Sequence, residues 1–198
     1  IKVLQKISSS WKITIINDGS PDSSGKIADE LSRTSENINV VHHNTNLGYG
    51  AAVKSGLKAS MGFDWICFTD GDDEYDVNEL LHISKLFDLN DLIITFRFSK
   101  LYGSYRIFVS FVYNIVLRTL FRSNFRDHSC ALKVIKSKVL NDINITSTSP
   151  FIGAEIIIKT MIKGYKIGEV GIQTFPRQFG LSTSTSFSNI LKTIKDLL

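Results

Sequence analysis

Cysteine is scarce in this chain: Cys67 and Cys130 are the two among 198 residues. They form no CxxC and stand far apart. A disulfide framework is therefore not indicated, and a reducing compartment fits better than a secreted one. Cys67 falls inside the apolar run Trp65-Ile66-Cys67-Phe68 and is expected to be buried as a small hydrophobe. Proline is equally sparse at three residues, and no low-complexity tract or repeat divides the chain, which reads as one domain. A charged fraction of 21% beside a hydrophobic fraction of 43% excludes a disordered chain. No apolar stretch reaches the roughly 20 residues that a bilayer span requires. No secretory signal is visible, and the chain opens on Ile1 rather than Met, so a natural start further upstream is expected. The four histidines show no metal-ligand spacing, and no Ser/His/Asp nucleophile set can be argued, so His42, His43, His82 and His128 are expected in structural or surface roles.

What is present alternates. Trp11 to Asn17 is a β-branched, apolar run that reads as a strand, and it ends in the turn signal Asp18-Gly19-Ser20-Pro21. Ser23 or Ser24 can cap a helix carrying Ile27, Ala28 and Leu31 on one face. Further strands are read at Asn39–His43, Trp65–Thr69, Leu92–Phe96 and Tyr165–Ile172, with helices at Ala51–Ala59, Val77–Phe87 and Gly153–Lys163. This order predicts an α/β fold with a mostly parallel sheet, whose ligands bind at the carboxyl ends of strands. Tyr105 to Phe121 is strongly apolar and admits two readings, a core helix or a helix lying in a membrane interface. Ser182 to Ser188 reads as a polar, mobile loop.

The chemistry concentrates at strand ends. Asp70-Gly71-Asp72-Asp73-Glu74 directly follows an apolar strand. Its alternate carboxylates can point into one site, and such hard oxygen ligands suit Mg²⁺ or Mn²⁺. The alternative is a solvated acidic turn. Asn17-Asp18-Gly19-Ser20 can either accept hydrogen bonds from a base or ribose or simply turn the chain into the next helix. Asn46-Leu47-Gly48-Tyr49-Gly50 opens a helix that carries Lys54 one turn in. Its glycines allow an anion close to the helix start, or close packing on a sheet. It is neither a Walker motif nor a GxGxxG fingerprint. Pro176-Arg177-Gln178-Phe179-Gly180 places a cation just past a strand, where it can clamp a phosphate or sit in a surface turn.

Taken in order, NDGSPDSS, NLGYGAAVKSGL, FTDGDDEYD, RDHSCALKVIKSKVL, AEIIIKTMIKGYKIGEVGI and PRQFGLST resemble glycosyltransferase family 2, over about Ile13 to Thr183. The look is nearest to its polyprenyl-phosphate sugar transferases, the relatives of dolichol-phosphate mannosyltransferase. The resemblance implies a GT-A fold in one catalytic domain over residues 1–198, a nucleoside-diphosphate sugar donor and a divalent metal, Mg²⁺ or Mn²⁺. It places Asp18, Gly48, Lys54, Asp70 and Arg177 about the donor nucleotide. It makes Asp70, Asp72 and Glu74 the metal and diphosphate segment. Asp127 falls on the acceptor side, and Arg97 and Arg106 fall where an acceptor phosphate would sit. The family's first strand, with its Pro-x-Tyr-Asn-Glu stretch, has no counterpart, and Ile1 to Ser10 resemble the end of the helix that follows it.

The implied reaction is an in-line displacement at the anomeric carbon. The metal and Arg177 stabilise the leaving diphosphate. A lipid-phosphate acceptor needs orientation by Arg97 and Arg106, whereas a sugar hydroxyl needs a general base, for which Asp127 is the candidate. The expected location is the cytoplasmic face of a membrane. Two other readings stay open: a soluble transferase acting on a glycan or protein hydroxyl, and a non-catalytic nucleotide-sugar-binding module. The net charge of +4 suits a polyanionic partner. The basic residues do not gather in one arm or helix, so nucleic acid is not the expected one.

Overall fold

A computed structural model describes residues 1–99, 103–176 and 187–197, apart from the side chains of residues 187 and 188. The elements run α1 (Lys2–Ile7), β1 (Ile13–Asn17), α2 (Ser24–Arg33), β2 (Ile38–His42), α3 (Tyr49–Ala59), β3 (Trp65–Phe68) and α4 (Glu79–Ile83). They continue with β4 (Leu92–Arg97), α5 (Ser104–Phe121), β5 (Lys133–Lys136), α6 (Ser137–Asp142), α7 (Ile152–Ile162), β6 (Ile167–Ile172) and α8 (Phe187–Leu197).

The strands form two sheets. β1 and β2 pair in parallel, with Asn17 opposite His42. The second sheet has the order β3-β5-β4-β6. Here β5 lies antiparallel to both β3 and β4, while β4 and β6 are parallel. The pairing is thus more mixed than the mostly parallel sheet expected. The cause is β5, which reverses direction between two strands of common sense. Its sequence, KVIK, is short and flanked by lysines, and so gives no strand signal of its own.

The core lies between the second sheet and α7. β4 is a continuous apolar run, and Leu92, Ile93 and Ile94 are wholly buried, as a strand covered on both faces should be. α7 buries Ile152, Ile156 and Ile157 against Leu92, Ile94, Ile135 and Val139. Each such side chain contributes about 1.5–3 kcal/mol of transfer free energy.

Helix α3 bridges the two sheets, touching both β1 and β3. Its start also packs tightly against the segment before α7, while Gly56 leaves room for ordinary contact with β1. A Cβ on Gly50 would collide with the Thr148 backbone, and one on Gly56 would lie 3.4 Å from Ile16 Cγ1.

One expectation about burial is corrected. Cys67 is exposed, because β3 alternates: Ile66 is turned into the core and Cys67 to the opposite face. On α2, Ala28 packs inward while Ile27 and Leu31 remain exposed.

Candidate active site

In the four-stranded sheet, the carboxyl ends of β3, β4 and β6 and the amino end of β5 share one edge. The polar motifs collect there and at the end of β1.

Asp18 leaves β1 through Gly19, whose φ of +64° only glycine adopts at low cost. A side chain at Gly19 would also strike the backbone of Thr45 and Asn46. The turn therefore lies against the loop that leads into α3. The Asp18 carboxylate receives the Leu47 amide at 2.9 Å, the Gly48 amide at 2.8 Å and His43 Nδ1 at 2.6 Å. Burial raises its pKa, but the His43 contact and the two amides outweigh this and hold it below the usual carboxylate value. Gly48 has φ +94° and no neighbour where a Cβ would stand, so the loop stays open at that point.

The next residue, Tyr49, sets its hydroxyl near the Asp70 carboxylate and so brings this turn close to the acidic segment. Burial and the charge of Asp72 push Asp70 up to about 6, against the opposing pull of Lys133 and Tyr49. Asp72 and Asp70 are half-buried, whereas Glu74 is 3% exposed. The Glu74 amide donates to Asp72 Oδ1 at 3.3 Å, and Asp73 holds a left-handed φ of +61°. The end of β6 closes over this segment: Tyr75 bridges Thr174, and the Phe175 amide donates to the Glu74 carbonyl.

Among the described residues, no three His, Cys, Asp or Glu side chains converge as a ready-made cation cage. Asp70 and Asp72 still fit a divalent ion. They are two hard oxygen donors close enough to repel one another, and Mg²⁺ is commonly held by one or two carboxylates with substrate phosphates completing the shell.

Beyond them, Arg97 at the end of β4 donates from Nε and Nη2 to Asp127 Oδ2, at 2.8 and 2.7 Å. Asp127 Oδ1 accepts from the amide and hydroxyl of Ser129. Two of the predicted acceptor-side residues are thus bound to each other. Lys133, 1% exposed, donates to the Cys130 carbonyl and lies between the charges of Asp127 and Asp70. Burial lowers its pKa, against those two carboxylates.

The remaining predicted residues are more scattered. Lys54 Nζ donates to the Thr146 carbonyl at 2.6 Å and so ties α3 to the segment before α7. Arg106 lies in the first turn of α5. Arg177 and the other residues from 177 to 186 fall outside the described residues. Sequence reasoning missed His43, Tyr49 and Lys133 as individuals. A lone lysine inside ALKVI was a signal for Lys133. For His43 the signal was strand alternation, which turns adjacent histidines to opposite faces.

This arrangement is that of the GT-A fold. Residues 2–143 match Glycosyl transferase family 2, and the chain belongs to that family. It is 25% identical over 190 residues to polyprenol monophosphomannose synthase of Mycolicibacterium smegmatis, covering 90% of this chain and 71% of that protein. It is likewise 25% identical over 197 residues to undecaprenyl-phosphate 4-deoxy-4-formamido-L-arabinose transferase of Pectobacterium atrosepticum, covering 98% of this chain and 58% of that one. It therefore spans only part of these relatives. Glucosyl-3-phosphoglycerate synthase of Mycobacterium tuberculosis, solved with Mn²⁺, UDP and glucosyl-3-phosphoglycerate, superposes with a TM-score of 0.68 at 14% identity. That match covers 100% of this chain and 72% of the other.

Proposed function

We propose that residues 1–198 form one catalytic domain that transfers a sugar, with inversion, from a nucleoside-diphosphate sugar to a polyprenyl-phosphate acceptor. One observation carries this reading. Asp18 holds the Gly48 amide, and the adjacent Tyr49 hydroxyl lies near Asp70, which supports one continuous floor for the nucleoside end and the diphosphate end of a donor.

In this reading Asp18 and the Gly48 loop receive the nucleoside. Asp70 and Asp72 hold Mg²⁺ or Mn²⁺, which neutralises the leaving diphosphate. Glu74, the buried third carboxylate of that segment, serves the same metal and diphosphate, and Arg177 grips the same phosphates. A phosphate acceptor is already anionic, so it needs orientation rather than a base. Asp127 fixes the Arg97 guanidinium, and Arg106, in the first turn of α5, is the second cation assigned to the acceptor phosphate. The names of the two lipid-phosphate relatives support this acceptor class.

Membrane association fits the same acceptor. No helix of the described residues is long and apolar enough to cross a bilayer, but α5 exposes Tyr105, Phe108, Phe111, Val112 and Ile115. This face supports docking to the cytoplasmic surface of a membrane.

A second reading, a soluble hydroxyl acceptor, is favoured by the structural neighbour named for glucosyl-3-phosphoglycerate. There Asp127 would have to give up its Arg97 and Ser129 partners to accept a proton.

Calorimetry of UDP with and without Mn²⁺ tests the donor site. Mn²⁺ should strengthen UDP binding to the native chain, and Asp72→Asn should remove that gain without changing the melting temperature. A gain that survives in Asp72→Asn overturns the assignment.

A further inference from the structure

The Asp18 carboxylate has most of its acceptor capacity assigned. Oδ1 takes His43 Nδ1 and the Leu47 amide, and Oδ2 takes the Gly48 amide. An ionised carboxylate offers about four acceptor positions. One therefore remains, and it is on Oδ2.

His43 is anchored in turn. Its Nε2 lies 2.8 Å from Ser55 Oγ on α3, and its side chain is 8% exposed. An ionised carboxylate only accepts, so Nδ1 carries the proton toward Asp18. In the neutral ring, Nε2 then accepts the Ser55 hydroxyl. The three residue types are those of a hydrolytic triad. Ser55 nevertheless sits inside α3, whose amides are engaged along the helix and offer no oxyanion donors. The array holds a carboxylate; it does not build a nucleophile.

We propose that His43 is a positioning residue for the donor nucleotide: anchored on Ser55, it fixes Asp18 so that the one open acceptor position on Oδ2 takes a single ring N–H, as uracil presents. The inference rests on the donor-site reading of Asp18 given above. Uracil carries N3–H at the edge in question. Cytosine has a bare lone pair at the same atom, which a carboxylate repels. Guanine presents two neighbouring N–H groups, which a carboxylate meets best with both oxygens free. Without His43, Oδ1 gains an open position, the carboxylate can rotate, and the base edge is read less strictly.

Two substitutions separate this role from mere packing. In His43→Asn the amide nitrogen takes the place of Nδ1 and keeps the Asp18 contact. In His43→Gln it takes the place of Nε2 and keeps the Ser55 contact alone. The readout is the ratio of UDP to CDP affinity, measured by calorimetry with Mn²⁺, beside the melting temperature of each variant.

The native chain should prefer UDP on the order of tenfold to a hundredfold, the range of a charge-assisted hydrogen bond. His43→Asn should keep the ratio. His43→Gln and His43→Leu should bring it close to one. Should both of these fail to fold, Ser55→Ala takes their place and should lower the ratio severalfold. An unchanged ratio in every variant that loses the Asp18 contact, or in Ser55→Ala where it stands in for them, overturns the proposal. So does a native chain that binds UDP and CDP equally, and in that case the donor-site reading survives. A native chain that binds neither nucleotide brings down the donor-site reading itself, and this inference with it.

Discussion

Arg97 and Asp127 meet as a buried ion pair, with Nη2 2.7 Å from Oδ2 and side chains that are 5% and 3% exposed. One comes from the end of β4 and the other from the loop before β5. The pair therefore fixes how that loop leaves the sheet edge.

Removing one partner strands the other charge in the interior. Arg97→Met or Asp127→Leu alone is expected to cost about 3–5 kcal/mol of stability, while the double replacement costs much less. Urea unfolding of the two single variants and the double variant measures this. Additive losses in the double variant would show that the two charges do not depend on each other.

The same loop shows what sequence reading can and cannot reach. The strands β1, β3 and β4 were legible because each is a run of apolar or β-branched residues ended by polar turns. Asp18 and the Asp70–Glu74 segment were legible because they follow those runs directly. The partnership of Arg97 with Asp127 was not. It depends on β5 folding back antiparallel between β3 and β4, and its short lysine-flanked sequence carries no period. His43 was hidden for a similar reason. Its reach to Asp18 follows from the register that sets Asn17 beside His42, a relation across 25 residues.

His128 gives the chain a stability that depends on pH. It is fully buried, with Nδ1 3.0 Å from Asn114 Oδ1 and Nε2 2.9 Å from Ser123 Oγ. Burial, then the charges of Lys133 and Arg118, bring its pKa down to about 4, against the pull of Asp127. The unfolded ring takes a proton near pH 6.5, and the folded ring only near 4. Between those values the unfolded state binds more protons, so stability falls as pH falls through this window. The loss should approach about 3 kcal/mol by pH 4. His128→Gln should lower stability at pH 7 and flatten the curve between pH 6.5 and 4. An equally steep curve in the variant would assign the slope to other groups.

Glu155 pins the segment that braces α3. Its carboxylate accepts from the Thr146 amide and hydroxyl and from the Ser147 amide, and Lys159 pairs with it. The Thr146 carbonyl in turn receives Lys54, and Thr148 lies against Gly50. Glu155→Ala leaves two inward-facing amides without an acceptor, at about 1–3 kcal/mol each. Lower stability together with weaker UDP binding is the expected result. A stability loss with unchanged UDP affinity would separate the brace from the nucleotide loop.

Helix α5 divides its apolar residues between two faces. Leu117 and Asn114 are buried, and Tyr113 and Phe121 pack toward Phe151, Ala154 and Ile158. The opposite face leaves Tyr105, Phe108 and Phe111 at least 60% exposed, with Val112 and Ile115 beside them. Over its 18 residues the helix is about 27 Å long, so this face is an apolar strip rather than a scattered set. Arg106 stands at one end. Arg118 and Arg122 stand at the other, although Arg118 also donates to the carbonyls of Phe125 and Arg126. Each such cation near an anionic leaflet adds about 1 kcal/mol, and salt screens that share of the binding. A helix lying in the interface would bring Arg106 to the level of lipid phosphates, where the proposed acceptor resides. Co-sedimentation with vesicles containing phosphatidylserine tests the arrangement. The native chain should pellet with them at low salt and be released at high salt, while Phe108→Glu with Phe111→Glu should stay in the supernatant at an unchanged melting temperature. A native chain that ignores the vesicles at low salt would remove the membrane from the reading, and the soluble-acceptor alternative would then carry the site.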